Sequence, residues 1–97
     1  MLTSKQRAYL KGLAHEMNAI LHIGKTGISP ELTMAVEEAL AARELIKIDV
    51  LNNCAVPIGE AAETISQRTR SELVQVIGKK IILYKKSRDP QKKSIEI

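Results

Sequence analysis

The sequence predicts a mixed α/β domain (α+β in its layering) with element order αβαβαββ and a four-stranded mixed sheet. Three observations carry this. Apolar residues recur at helical spacing in three separate stretches. Short aliphatic runs alternate with those stretches, and strand–helix–strand units pair their strands in parallel through a right-handed crossover. The last two runs are joined only by Gly78-Lys79, a glycine-first pair suited to a two-residue type II′ hairpin turn. A hairpin after two crossovers makes one strand antiparallel. In so short a chain we expect two layers, with the helices mainly on one face of the sheet.

Thr3 to Met17 reads as the first helix. Thr3 caps it, and Gln6 three residues on completes a capping-box pattern. Leu10, Leu13, Ala14 and Met17 form one face, with Lys5, Arg7 and Lys11 projecting away from it. Gly12 lowers helix propensity by about 1 kcal/mol relative to alanine, which suggests a close approach to another element or to a partner. Ala19 to Ile23 is the first strand. The second helix runs from Pro30 to Arg43, capped by Ser29, with proline at its favoured first position. Leu32, Val36, Ala39 and Leu40 form its apolar face, and Glu37-Glu38 face away.

Leu45 to Leu51 is the second strand, where Ile46, Ile48 and Val50 alternate with Lys47 and Asp49. Asn52-Asn53-Cys54-Ala55 reads as a loop. Pro57 opens a third helix with Ile58, Ala61, Ala62 and Ile65 at helical spacing, ending near Thr69-Arg70-Ser71. Leu73 to Ile77 and Lys80 to Lys85 are the last two strands. The hairpin register opposes Val76 to Ile81 and Val74 to Leu83, which puts these four on one face and Leu73, Gln75, Ile82 and Tyr84 on the other. Residues 1–86 are expected to form the domain, and residues 87–97 a polar, basic tail.

The chain of 97 residues suits one domain with a modest core. Aromatic residues make up only 2 %, Tyr9 and Tyr84, so the core is expected to be aliphatic. No apolar run approaches the ~20 residues of a membrane-spanning helix. The first residues lack the basic-then-apolar order of a signal peptide. Cys54 is the single cysteine, which excludes an internal disulfide and fits a reducing, cytoplasmic setting.

The net charge is +4, and its placement is uneven. Residues 1–29 carry four basic residues against one acid, residues 30–78 four against eight, and residues 79–97 seven against two. Two basic ends bracket an acidic middle, which suggests an anionic partner, nucleic acid first. A soluble basic protein with a solvated tail has the same pattern.

Gly24-Lys25-Thr26-Gly27 stands between the first strand and the second helix. Glycines permit the backbone conformations and close approach of a tight loop. The following helix directs unsatisfied N–H groups toward it. An anion arriving there would meet backbone donors and the Lys25 ammonium together. The same four residues also suit an ordinary strand-to-helix turn.

Nucleotide hydrolysis is not expected. A full P-loop needs a glycine at position 19, which is Ala19, and the strand runs directly into Gly24. His15, His22 and Cys54 are scattered without metal-ligand spacing, so neither a metal nor a cofactor is expected. No pairing of residues supports an enzyme. Glu37 and Glu38 are adjacent on a helix and cannot face one another.

Four segments together resemble the CRM domain (chloroplast RNA splicing and ribosome maturation) in its bacterial single-domain, YhbY-like form. They are the stretch from Leu2 to His15, Gly24-Lys25-Thr26-Gly27, Glu44-Leu45-Ile46-Lys47-Ile48, and Val74 to Lys79 leading to Leu83-Tyr84-Lys85. The resemblance spans about Leu2 to Tyr84. It implies a fold similar to the C-terminal domain of bacterial translation initiation factor three, and RNA binding without catalysis. It also implies association with precursors of the large ribosomal subunit, with Gly24, Lys25, Thr26 and Gly27 clamping RNA backbone as the loop of KH domains does.

Beside that loop, Lys5, Arg7, Lys11, Lys79 and Lys80 are candidates for extending the footprint. The expected partner is RNA, specifically ribosomal RNA in large-subunit precursors. No membrane or small-molecule substrate is expected, and the chain is expected to act as a monomer. The competing reading is a protein-interaction module that docks through Leu73, Gln75, Ile82 and Tyr84.

Overall fold

The run Ile81-Ile82-Leu83-Tyr84 is apolar at every position, and all four side chains are buried. A strand buried on both sides must lie inside a sheet that is covered on both faces. The computed structural model, which describes residues 2–86 and residue 95, has that arrangement. In chain order the elements are α1 (Ser4–His15), β1 (Leu21–Ile23), α2 (Pro30–Arg43), β2 (Leu45–Val50), α3 (Ile58–Thr69), β3 (Glu72–Ile77) and β4 (Lys80–Tyr84). The sheet order is β1-β2-β4-β3. β1 pairs with β2 in parallel, and β4 runs antiparallel to both β2 and β3. The carboxyl ends of β1, β2 and β3 therefore share one edge of the sheet with the β3–β4 turn.

The expected element order and mixed sheet with one antiparallel strand are present. The layering is richer than expected. Val36 and Leu40 of α2 and Ala61, Ala62 and Ile65 of α3 pack with Ile23, Ile46, Ile48, Val50, Ile81 and Leu83 on one face. Leu10 and Ala14 of α1 pack with Leu45, Val74, Ile82 and Tyr84 on the other. Two helices share a face, as expected, and α1 adds a third layer because β4 offers it an apolar second face.

Local chemistry explains the helix ends. Thr3 accepts from the Gln6 N–H at 3.1 Å, and Gln6 Oε1 accepts from the Thr3 N–H at 2.9 Å, which completes the capping box. Ser29 Oγ accepts from the Leu32 N–H at 3.1 Å, with Pro30 opening α2. Glu44 closes α2 at φ 64, a conformation unfavourable for a side chain. It is buried and doubly tied: its carbonyl accepts from the Lys85 N–H at 2.8 Å, and its Oε1 from the Ile95 N–H at 2.6 Å.

The hairpin departs from its expected register. Gly78 has φ 57 and Lys79 does not have positive φ, which agrees with a glycine-first turn. Val76 opposes Ile81 as expected, but Gln75 opposes Ile82 and Leu73 opposes Leu83, with an irregularity between Leu73 and Gln75. This bulge turns Val74 to the α1 face and leaves Leu73 packed on the α2–α3 face. The proposed docking face of Leu73, Gln75, Ile82 and Tyr84 is thereby corrected. Its members are divided between the two faces, and Ile82 and Tyr84 are buried under α1.

The expected tail, residues 87–97, lies outside the described residues except for Ile95. That residue packs against the α1 cluster. Among the described residues, no helix is long and apolar enough to cross a membrane.

Candidate nucleic-acid interface

The carboxyl edge of the sheet is built by three turns. The first is the glycine loop after β1. The Leu51 N–H donates to the Ile23 carbonyl at 2.9 Å, which holds the exit of β1 against the exit of β2. The Gly27 N–H then donates to the Gly24 carbonyl at 2.9 Å, closing a four-residue turn with Lys25 and Thr26 at its tip. Neither tip residue has positive φ, so the turn is of type I kind. Gly27 follows at φ 66, where a side chain would be strained. Gly24 differs. A Cβ there would make ordinary contacts with Leu51 Cδ1 at 3.4 Å and Asn53 Oδ1 at 3.7 Å, so the fold itself admits alanine.

Lys25 and Thr26 are exposed. Their backbone N–H groups find no acceptor among the described residues, and the Lys25 ammonium finds no carboxylate there. The start of α2 adds less than the sequence suggests. Pro30 has no N–H, Ser29 takes the Leu32 N–H, and the Thr33 N–H donates to the Ser29 carbonyl at 3.0 Å. The donors open to an anion are thus chiefly those of the loop itself.

The second turn is Gly78-Lys79. The Lys79 carbonyl accepts from the Val50 N–H at 2.7 Å, so this turn sits against the end of β2. The Lys79 side chain is exposed and without a partner among the described residues. It lies two strand positions from the glycine loop, roughly 10 Å at ordinary strand spacing. The third turn, after β2, carries the exposed Asn52 and Asn53. Between it and Lys79 is a shallow hollow lined by Val50, Leu51, Val56 and Ile58, with Asn52, Cys54 and Lys79 also on its wall. In the sequence this stretch reads only as a loop. Its two asparagines acquire a site only because folding sets them beside Gly24 and Lys79.

The remaining candidate cations separate into free and engaged groups. Lys5 and Lys11 are exposed on α1. That helix packs over the first residue of β2 and the last of β4, so it covers the opposite half of the sheet from the loop. Arg7 turns inward. Its Nη1 donates to the carbonyl oxygens of Leu73 and Val74, the latter at 3.1 Å, and so satisfies the β3 bulge. Lys80 donates to Asp49 Oδ1. The register places His22, Asp49 and Lys80 side by side across β1, β2 and β4, with His22 Nε2 4.0 Å from Asp49 Oδ2. The hydrogen bond from Lys80, with the charges of Lys80 and His22, holds the Asp49 carboxyl below its ordinary range. Of the nine residues singled out in the sequence, five lie together at the carboxyl edge, Gly24, Lys25, Thr26, Gly27 and Lys79, and the side chains of Lys25, Thr26 and Lys79 are turned to solvent.

Comparison with known proteins places this edge in context. A family model for the CRS1 / YhbY (CRM) domain matches residues 2–85. The chain belongs to that family. A Bacillus subtilis (strain 168) member named "Probable RNA-binding protein YqeI" is 43 % identical over 97 residues, covering 100 % of this chain and 99 % of the relative. A Haemophilus influenzae member named "RNA-binding protein" is 33 % identical over 88 residues, covering 91 % of this chain and 89 % of the relative. The solution structure of the hypothetical protein SAV1595 from Staphylococcus aureus superposes with a TM-score of 0.79 at 47 % identity, covering 94 % and 95 % of the two chains. This CRM-family chain therefore shares its fold with the solved Staphylococcus aureus protein and its sequence pattern with the other two.

Proposed function

We propose that this protein binds RNA through its glycine loop, without catalysis, and assists assembly of the large ribosomal subunit. The observation that carries the proposal is the loop tip. Two backbone N–H groups without acceptors among the described residues stand beside an exposed, uncommitted ammonium. Such a cluster suits a phosphate oxygen, because each contact is a charge-assisted hydrogen bond. Lys79 at the neighbouring turn supplies a second positive charge along the same edge. Membership of the CRM family and the names of its relatives support RNA as the anion. Ribosomal RNA in large-subunit precursors is the partner the family resemblance implies. The protein would hold or shield a structured segment while the particle matures, acting as a cytoplasmic monomer.

Two measurements test this. RNA affinity is expected to fall steeply with salt, with a slope set by the phosphates contacted. A flat salt response would point to a different kind of partner. Ultraviolet crosslinking in cells, followed by sequencing of the attached RNA, is expected to enrich large-subunit ribosomal RNA. A profile matching total cellular RNA would remove the ribosomal part of the proposal.

A further inference from the structure

The geometry points to a nucleobase site next to the glycine loop: the hollow at the carboxyl edge receives one unpaired base of the RNA whose backbone the loop holds. This rests on the RNA reading above. The floor of the hollow is aliphatic, made by Val50, Leu51, Val56 and Ile58. The flat face of a base suits such a floor, whereas its edge must keep polar partners. Asn52 on the wall offers a carbonyl acceptor and amide donors in one side chain. Lys79, also on the wall, adds positive charge where the adjoining phosphates would run.

Hollow and loop are contiguous. Leu51 lines the hollow, and its Cδ1 lies 3.4 Å from where a Gly24 Cβ would stand. A phosphate on the Lys25 and Thr26 amides thus sits next to the apolar floor. Leu51 is 42 % exposed, and a stacked base would cover it. Ile77, at the end of β3, is also exposed on this edge, but it does not line the hollow. The chain's two tyrosines are Tyr84, buried under α1, and Tyr9, on α1 itself. A fully paired duplex keeps its bases stacked inside, so the ligand is single-stranded or bulged RNA.

Cys54, the single cysteine, is half-buried on the wall of the hollow and reports on its occupancy. The test compares N-ethylmaleimide alkylation of the intact protein with and without RNA, saturation being followed by fluorescence anisotropy. The RNA is a single strand of about ten nucleotides and defined, non-self-complementary sequence, alone or annealed to its complement as a full duplex. We expect the saturating single strand to slow alkylation several-fold and the bound duplex to leave it unchanged. Protein already alkylated at Cys54, with its fold checked by circular dichroism, is expected to bind the single strand about ten-fold more weakly with an unaltered salt slope. An unchanged alkylation rate at full occupancy, or equal protection by the duplex, would overturn the base site while leaving phosphate binding intact. Absence of binding by either RNA would overturn both this site and the RNA reading beneath it.

Discussion

Arg7, on α1, donates to the carbonyl oxygens of Leu73 and Val74, whereas Lys25, at the carboxyl edge, meets no partner among the described residues. The contrast extends beyond these two. Lys47 donates to the Met17 carbonyl at 2.8 Å, and Lys85 to the Thr69 carbonyl at 2.9 Å. Each serves a backbone acceptor at a helix end or bulge, where regular pairing runs out. At the carboxyl edge, Lys25 and Lys79 sit on turns that are each closed or anchored by a backbone pair, the Gly24 carbonyl with the Gly27 N–H and the Lys79 carbonyl with the Val50 N–H. A basic residue is available to a ligand only after the fold's own unmet acceptors have been satisfied. Net charge therefore overstates the binding surface, and location within the fold decides which cations remain free.

Four predictions break or sharpen that comparison. The largest effect is expected at Arg7. Arg7→Ala leaves two carbonyls at the bulge without their charged donor, at a cost of about 2 kcal/mol, or a fall in Tm on the order of 10 °C for a domain of this size. RNA affinity of the folded variant is expected to stay within two-fold of wild type (about 0.4 kcal/mol). An unmoved Tm with lost affinity would reverse the assignment.

Lys25→Glu is the converse case. It is expected to weaken RNA binding about ten-fold and to lower the salt slope by roughly one phosphate contact. Stability should stay within about 0.5 kcal/mol, as for exposed substitutions generally. Anisotropy titrations at several salt concentrations, with a melting curve beside them, measure both.

Gly12→Ala tests whether α1 keeps that glycine for packing. Among the described residues a Cβ at Gly12 meets nothing within 4 Å, so the close approach to another element expected from the sequence is absent there. The variant is expected to gain about 0.5–1 kcal/mol in urea unfolding. A loss would reveal a neighbour at that face.

The smallest effect concerns pH. Burial, and then the nearby Glu44 charge, push the Tyr84 hydroxyl above its ordinary value. The folded state thus holds that proton more tightly than the unfolded chain. Its contribution is complete below the unfolded pKa of about 10 and is lost as pH rises through the higher folded value. Urea midpoints are expected to decline in that alkaline window, and Tyr84→Phe to flatten the decline. An equal decline in Tyr84→Phe would assign the effect to other groups.

Much of the fold was legible because its signals are local. Thr3 and Gln6 form the expected capping box, and Ser29 with Pro30 fixes the start of α2 at the residue expected. Boundaries shifted where pairing decides them: β1 begins at Leu21 rather than Ala19, although the Ile20 N–H still bonds the Lys47 carbonyl at 3.0 Å. The bulge at Val74 was not legible, because a run of alternating apolar residues does not record which ladder bond is skipped. The candidate site divides along the same line. The four loop residues are contiguous and could be read directly. The fates of Arg7 and Lys80 depend on partners 66 and 31 residues away, and the hollow beside Asn52 depends on three turns meeting at one edge.

By itself, the order of residues determined the helices, the strands and the glycine turns, because capping, periodicity and backbone conformation act over a few positions, and four short segments carried the family resemblance. Only the tertiary structure decided which cations stay free, that α1 covers the second face, and that Gly24, Asn52 and Lys79 share an edge. Those outcomes depend on long-range pairing, in which a carbonyl left open by one segment is satisfied by a side chain from another.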